Sequence, residues 1–249
     1  MENKNNLKNS DFKKKISSTF QKYADDFAKP YKYFDIILGL FVAVLLISNI
    51  ASTKITQIWK FTFDGGTIIF PLSYIFGDIL TEVYGYRRAR KAIWVGFFSA
   101  FLMSVILWLI GLAKPAQGWD LQNAYMSILG QTPRIVGASL VAYFAGEFSN
   151  SYILAKMKIL TKGRWLWTRT IGSTIVGELV DTLLFCFIAF YGFYSNVLLV
   201  SIIISNYIFK VGLEIIMTPA TYKIVGLLKR RENEDYYDYK TNFNPFKIN

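Results

Sequence analysis

Ionisable and amide side chains recur inside stretches that are otherwise apolar: Asp78 and Glu82 in one, Glu147 and Asn150 in another, Glu178 and Asp181 in a third, and Asn206, Lys210 and Glu214 in a fourth. Within each group the members stand three or four residues apart, so a helix would place them on one face. A charge at the middle of a bilayer costs about 2.5 to 3.5 kcal/mol even on lenient insertion scales. Seven such groups turned toward lipid would cost on the order of 20 kcal/mol, more than the whole stability of a domain. They must therefore face one another, a polar cavity or a ligand. Six carboxylates and one lysine cannot neutralise one another, so the surplus has to be protonated, solvated, or matched by a cationic or donor-rich small molecule. That pattern points to a transporter that binds its substrate between helices.

Simpler assignments compete at some of these positions. Lys210 and Glu214 read either as an intrahelical salt bridge that glues the helices together or as a gating pair. Glu82 precedes the basic cluster Arg87, Arg88, Arg90 and Lys91 and is expected to pair with Arg87 near the surface. Asp78, Glu147, Glu178 and Asp181 have no basic neighbour on their own helices at that depth, which leaves ligand binding as the better reading. Tyr74, Tyr143 and Phe144 fall near the charged faces and are candidates to stack on a ring.

The elements that must position these residues are membrane spans. The chain is 53% hydrophobic and 17% aromatic, with a mean hydropathy of +0.31, too apolar for a soluble domain of 249 residues. Five apolar runs are long enough to cross a bilayer: about Phe34 to Ile55, Ala92 to Ala113, Ile135 to Met157, Arg169 to Tyr191 and Val197 to Leu228. A sixth, weaker one runs from about Pro71 to Tyr86. The net charge of +11 is not spread like a nucleic-acid footprint. Eight lysines precede the first run, and most other basic residues fall in alternate loops, as the positive-inside rule requires. Six spans with both termini cytoplasmic account for the alternation.

The expected architecture is an all-α membrane protein. A Lys-rich cytoplasmic extension (1–33) precedes a six-helix transmembrane domain (34–228), and a cytoplasmic tail (229–249) follows. Three spans per half would make the halves inverted, with the acid-bearing helices two and five in corresponding places and Pro71 and Pro219 interrupting helices two and six. Residues 59–70 alternate and meet Asp64-Gly65-Gly66, which predicts a short outer β-hairpin turning at the glycines. Between the third and fourth spans, Asp120 is expected to cap an amphipathic helix that shows Leu121, Tyr125, Ile128 and Leu129 on one face. The chain has no histidine and a single cysteine, Cys186, which removes histidine-based catalysis, intramolecular disulfides and cysteine-based metal sites. No cofactor is expected.

With these residues in view, the chain resembles the vitamin uptake transporter family of bacterial and archaeal membrane proteins, whose best-understood members carry queuosine precursors. The resemblance rests on Asp64-Gly65-Gly66 through Phe70-Pro71, on the run from Gly77 to Gly85 containing Asp78, Thr81 and Glu82, on Arg87-Arg88-Ala89-Arg90, and on Gly177 to Thr182 followed by Phe185. It extends over about Phe34 to Leu228 and leaves out the N-terminus and a tail that reads as a solvated extension. It implies import of deazaguanine bases for tRNA modification across the bacterial cytoplasmic membrane. A guanine-like edge offers a ring N–H and an exocyclic amine, and one carboxylate can accept from both. The residues assigned to substrate are Asp78, Glu147, Asn150, Glu178, Asp181, Asn206, Lys210, Glu214, Tyr74 and Tyr143. Competing assignments are a capture subunit that borrows an ATPase, since the chain has no phosphate-binding glycine loop, and an intramembrane Mg²⁺-dependent transferase. Nothing in the sequence decides between a monomer and a homodimer.

Overall fold

Each of the expected apolar runs is helical over most of its length, the first ending at Ala51, short of Ile55. The computed structural model describes residues 31–58, 61–130, 133–192 and 195–247, and the chain from Tyr33 onward forms one compact unit. The order of elements is α1 (Phe34–Ala51), β1 (Ile55–Ile58), β2 (Phe61–Asp64), α2 (Gly66–Ile69), α3 (Pro71–Tyr84), α4 (Tyr86–Leu112), α5 (Gln122–Leu129), α6 (Pro133–Leu160), α7 (Leu166–Phe190) and α8 (Asn196–Glu232). Nearly all of the Lys-rich extension lies outside the described residues.

The helices run up and down between two ends. At one end Tyr33 donates its backbone N–H to Glu232, and the Tyr84 hydroxyl reaches the same carboxylate. Lys158 and Arg169 converge there as well. So α1, α4 and α7 leave this end, while α3, α6 and α8 return to it. Gly85, with φ +85°, makes the corner between α3 and α4, a conformation only glycine adopts cheaply.

Burial is inverted relative to a soluble protein. Ile36, Leu40, Phe98, Leu102, Leu109, Phe187, Ile208 and Ile216 are exposed, whereas Asp78, Glu147, Glu178 and Glu214 are fully buried. An apolar shell around a polar interior suits a lipid solvent. Five helical segments are long and apolar enough to cross a membrane: Phe34–Ala51, Gly66–Tyr84, Tyr86–Leu112, Leu166–Phe190 and Leu199–Glu232. These are five of the six runs read from the sequence, and the run from Ile135 to Met157 is the one outside the set. Helix α6 has the length, 28 residues, but Glu147, Asn150 and Ser151 keep it out of that set. The weak hydropathy of α3 has the same cause: twelve of its fourteen residues are buried among other helices, so it need not be apolar all round.

Several local expectations change. The strands pair antiparallel with Ile55 opposite Asp64 and Ile58 opposite Phe61. Asp64-Gly65-Gly66 is therefore where β2 gives way to α2, not where the hairpin turns. Pro71 occupies the first position of α3, where a missing N–H costs nothing, and Pro219 lies within α8, which continues past it. Asp120 does not cap α5; Leu121 holds that position without a side-chain bond. Instead, α5 is tied to α4 through Gln122 Nε2 to Gly111 O and the Tyr125 hydroxyl to Leu107 O.

Candidate functional site

Four helices bring their acids together. Helix α3 supplies Tyr74 and Asp78, α6 supplies Glu147 and Asn150, α7 supplies Glu178 and Asp181, and α8 supplies Lys210 and Glu214. All eight are buried. The charged neighbours of Glu147 are Glu178, Asp181 and Glu214. Those of Asp78 are Glu214, Glu147 and Glu82. The open pocket lined by Asn49, Met103, Leu107 and Val136 carries no ionisable group and lies apart from this cluster. The acids thus sit in an arrangement closed to solvent.

Close helix approach makes the cluster possible. A Cβ on Gly77 would fall 2.7 Å from Glu147 Oε2, and one on Gly177 would fall 2.7 Å from Asn150 Cβ and 3.0 Å from the Tyr74 ring. Gly146 likewise faces the backbone of Gly177, its Cβ position 3.1 Å from that carbonyl. Small residues let α3, α6 and α7 meet at backbone distance, as is usual for helices packed in lipid.

Partners are unevenly distributed. Asn150 Nδ2 donates to Asp78 Oδ1 at 2.7 Å, which leaves Asp78 Oδ2 and Asn150 Oδ1 as buried acceptors with no donor among the described residues. Lys210 Nζ bridges Glu178 Oε2 at 3.0 Å and Asp181 Oδ2 at 2.6 Å and lies 4.5 Å from the Phe70 ring centre. This corrects the expected Lys210–Glu214 pair: the lysine reaches across to α7, and both Glu214 oxygens lack a hydrogen-bond partner among the described residues, as do both of Glu147. The hydroxyls of Tyr74, Thr174 and Thr182 are in the same position. Thr174 went unnoticed in the sequence and Thr182 entered only as the end of the Gly177–Thr182 motif, although each is four residues from Glu178 and so shares its face.

Two expected members stand aside. Phe144 packs against Trp94, Phe97 and Phe148 instead of stacking beside the acids. Asn206, half-buried, is one turn from Lys210 with no contact to the acids given by the structure. The Tyr143 hydroxyl is 3.2 Å from Ile93 O and so is occupied by α4.

Residues 64–224 match the model of the vitamin uptake transporter family, a span that holds every acid of this cluster. The chain belongs to the vitamin uptake transporter family. Relatives agree with that placement. A Bacillus subtilis protein named "Probable queuosine precursor transporter" is 31% identical over 199 residues, covering 78% of this chain and 87% of the relative. The Escherichia coli protein named "Queuosine precursor transporter" is 27% identical over the same shares. One from Haemophilus influenzae, named as the Bacillus protein is, shows 28% identity over 51% of each chain. No solved structure gives a significant match.

This member of the family also carries a second charged cluster, which sequence reasoning missed. Glu82, fully buried one turn below Asp78, does not pair with Arg87. It accepts from Arg169 Nη2 at 2.7 Å and Nε at 3.2 Å and from Lys229 Nζ at 2.6 Å, with Lys158 Nζ at 3.6 Å. Asp235 bridges Lys158 and Lys229 at 2.7 and 2.8 Å. The tail is therefore no solvated extension. Tyr236 N–H donates to Val83 O, Asp238 accepts from Tyr86 N–H, Arg90 donates to the carbonyls of Asn242 and Asn244, and Trp94 donates to Pro245 O. Nothing local distinguishes Arg169 or Asp235 in the sequence; both act through long-range partners.

The tail's attachment should depend on pH. Burial alone would raise the Asp235 carboxyl, but the hydrogen bonds and charges of Lys158 and Lys229 hold it below the ordinary carboxylate range. A depressed native value means the contribution is complete above about pH 4 and is lost as pH falls through the native value. Protease cleavage of the tail in detergent should accordingly stay slow at neutral pH and accelerate only below about pH 4. In Asp235→Asn it should be faster at neutral pH and change less on acidification.

Proposed function

We propose that this chain imports queuosine precursors, deazaguanine bases, and holds them among α3, α6, α7 and α8. The observation that carries the reading is the convergence of acids from all four helices, with Lys210 the one cation contacting them among the described residues, in a chain whose relatives bear that substrate in their names. Asp78 Oδ2 and Asn150 Oδ1 present two acceptors side by side, which suits the ring N–H and exocyclic amine of a guanine-like edge. Glu178 and Asp181 suit a cationic aminomethyl substituent, and Tyr74 offers a ring face.

For the membrane we propose six crossings, with α6 as the one that hydropathy misses. Its 28 residues extend about 42 Å, enough to span the hydrocarbon core, and its polar face is covered by α3 and α7. Both termini then lie on the cytoplasmic side of a bacterial inner membrane, the hairpin lies outside, and the acids sit near mid-depth. The directions of α3, which returns to the tail end, and α7, which leaves it, favour inverted three-helix halves.

Purified protein in liposomes tests the function directly. Uptake of a deazaguanine without any ATPase would fit a self-sufficient carrier, whereas binding without uptake would fit a capture subunit. Glu178→Gln keeps the shape but removes one charge that Lys210 neutralises; uptake should fall below about 1% of wild type with unchanged membrane levels, on the scale of a lost buried charge pair. Wild-type rates in that variant would remove Glu178 from the site.

A further inference from the structure

Glu147, like Glu214, is an acid of the cluster that contacts neither Lys210 nor Asn150. Its carboxylate is fully buried, and neither oxygen has a hydrogen-bond partner among the described residues. Helix α3 offers Asp78, held by Asn150, and Tyr74, and meets the carboxylate at Gly77, which has no side chain to donate. Helix α7 offers Glu178 and Asp181, and α8 offers Glu214 and a Lys210 engaged by the α7 acids. On its own helix, Tyr143 points its hydroxyl at Ile93 O. Among the described residues the surroundings thus supply negative charge and one partnerless hydroxyl, that of Tyr74, but no free cation.

An ionised carboxylate enclosed in that setting would cost several kcal/mol, and a nearby hydroxyl such as Tyr74 can offer a hydrogen bond but no charge to offset it. We propose that Glu147 is a proton-binding site, that the carrier closes around its substrate only when Glu147 is protonated, and that transport is therefore proton symport. This rests on the transport reading above. In the side-open state water reaches the carboxylate, which takes its proton from the solvent of that side. Closure buries the neutral acid, and opening to the other side returns the proton to water there. No bond to the substrate forms or breaks. The substrate satisfies Asp78 and the α7 acids while the proton satisfies Glu147, so neither alone completes the closed state, and the two ligands favour each other's binding.

The test uses purified full-length protein in liposomes, with a radiolabelled deazaguanine as substrate and an internal pH dye. With the outside one pH unit more acidic, the wild type should accumulate substrate about tenfold, the thermodynamic limit for one coupled proton, and acidify the lumen as it does so. In Glu147→Gln, gradient-driven accumulation and lumen acidification should fall by a far larger factor than substrate counterflow, which needs only loaded exchange. Glu214→Gln, the other partnerless acid, is the comparison. Wild-type accumulation that ignores the pH gradient, or responds to sodium instead, overturns the proposal, as does gradient-driven uptake in Glu147→Gln. Coupling lost in Glu214→Gln but kept in Glu147→Gln assigns the proton elsewhere and overturns it too. Absence of any counterflow in the wild type would instead count against the transport reading itself.

Discussion

Arg169→Leu should unfold at a far lower temperature in detergent than a variant of any lipid-facing residue. The Arg169 side chain is 1% exposed, makes two bonds to Glu82, and also donates to Thr161 Oγ1 and Arg164 O. Removing one partner of a buried pair costs about 3 to 5 kcal/mol, because the remaining charge stays behind without full compensation. Lys229 and Lys158 soften the loss, since both approach Glu82, but neither can offer the planar two-pronged geometry of a guanidinium. The double variant Arg169→Leu/Glu82→Gln should lose less than the two single variants together, by about 0.5 to 3 kcal/mol. Additive losses would mean that the two side chains do not support each other.

Lys210→Met should abolish uptake through a different route. Lys210 is the one cation contacting the acids at the site among the described residues, and it holds Glu178 and Asp181, which stand one turn apart on α7. Without it, two adjacent carboxylates share a dry environment, which costs several kcal/mol if both stay charged. Uptake per folded molecule should fall at least about a hundredfold, which corresponds to a little under 3 kcal/mol. Adding Asp181→Asn should restore thermal stability, by removing the charge that lost its partner, without restoring uptake. That split between stability and transport separates a binding role from mere support of the fold. Transport at the wild-type rate in Lys210→Met would place the lysine outside the machinery.

The helices were legible because lipid imposes a simple rule: long apolar runs, broken at Gly85 and at the turn through Gly163 and Trp165, where positive φ values end one helix before the next begins. The acids were legible for the same reason, since carboxylates inside such runs need an interior to face. Pairing was not. Lys210 has Glu214 at helical spacing on its own helix, yet it chose acids 29 and 32 positions away because α7 packs directly against that face of α8. Glu82 had Arg87 five residues on, but the corner at Gly85 turns that arginine onto another helix and leaves the space to Arg169 and Lys229. The tail misled for a related reason. Its Tyr, Asp and Asn residues read as solvated, whereas here they serve as hydrogen-bonding partners for backbone and arginine groups of the α3–α4 corner.

That corner is finished by residues made about 150 positions later: the Tyr236 ring occupies the space beside Gly85, and Asp238 caps the first free N–H of α4. At ribosomal speeds of roughly 5 to 20 residues per second, the elbow waits on the order of ten seconds for its last piece. Helices α3 and α4 therefore enter the bilayer before their junction is sealed, and an early stop that removes only the final dozen or so codons would strip hydrogen bonds from a part of the bundle made long before.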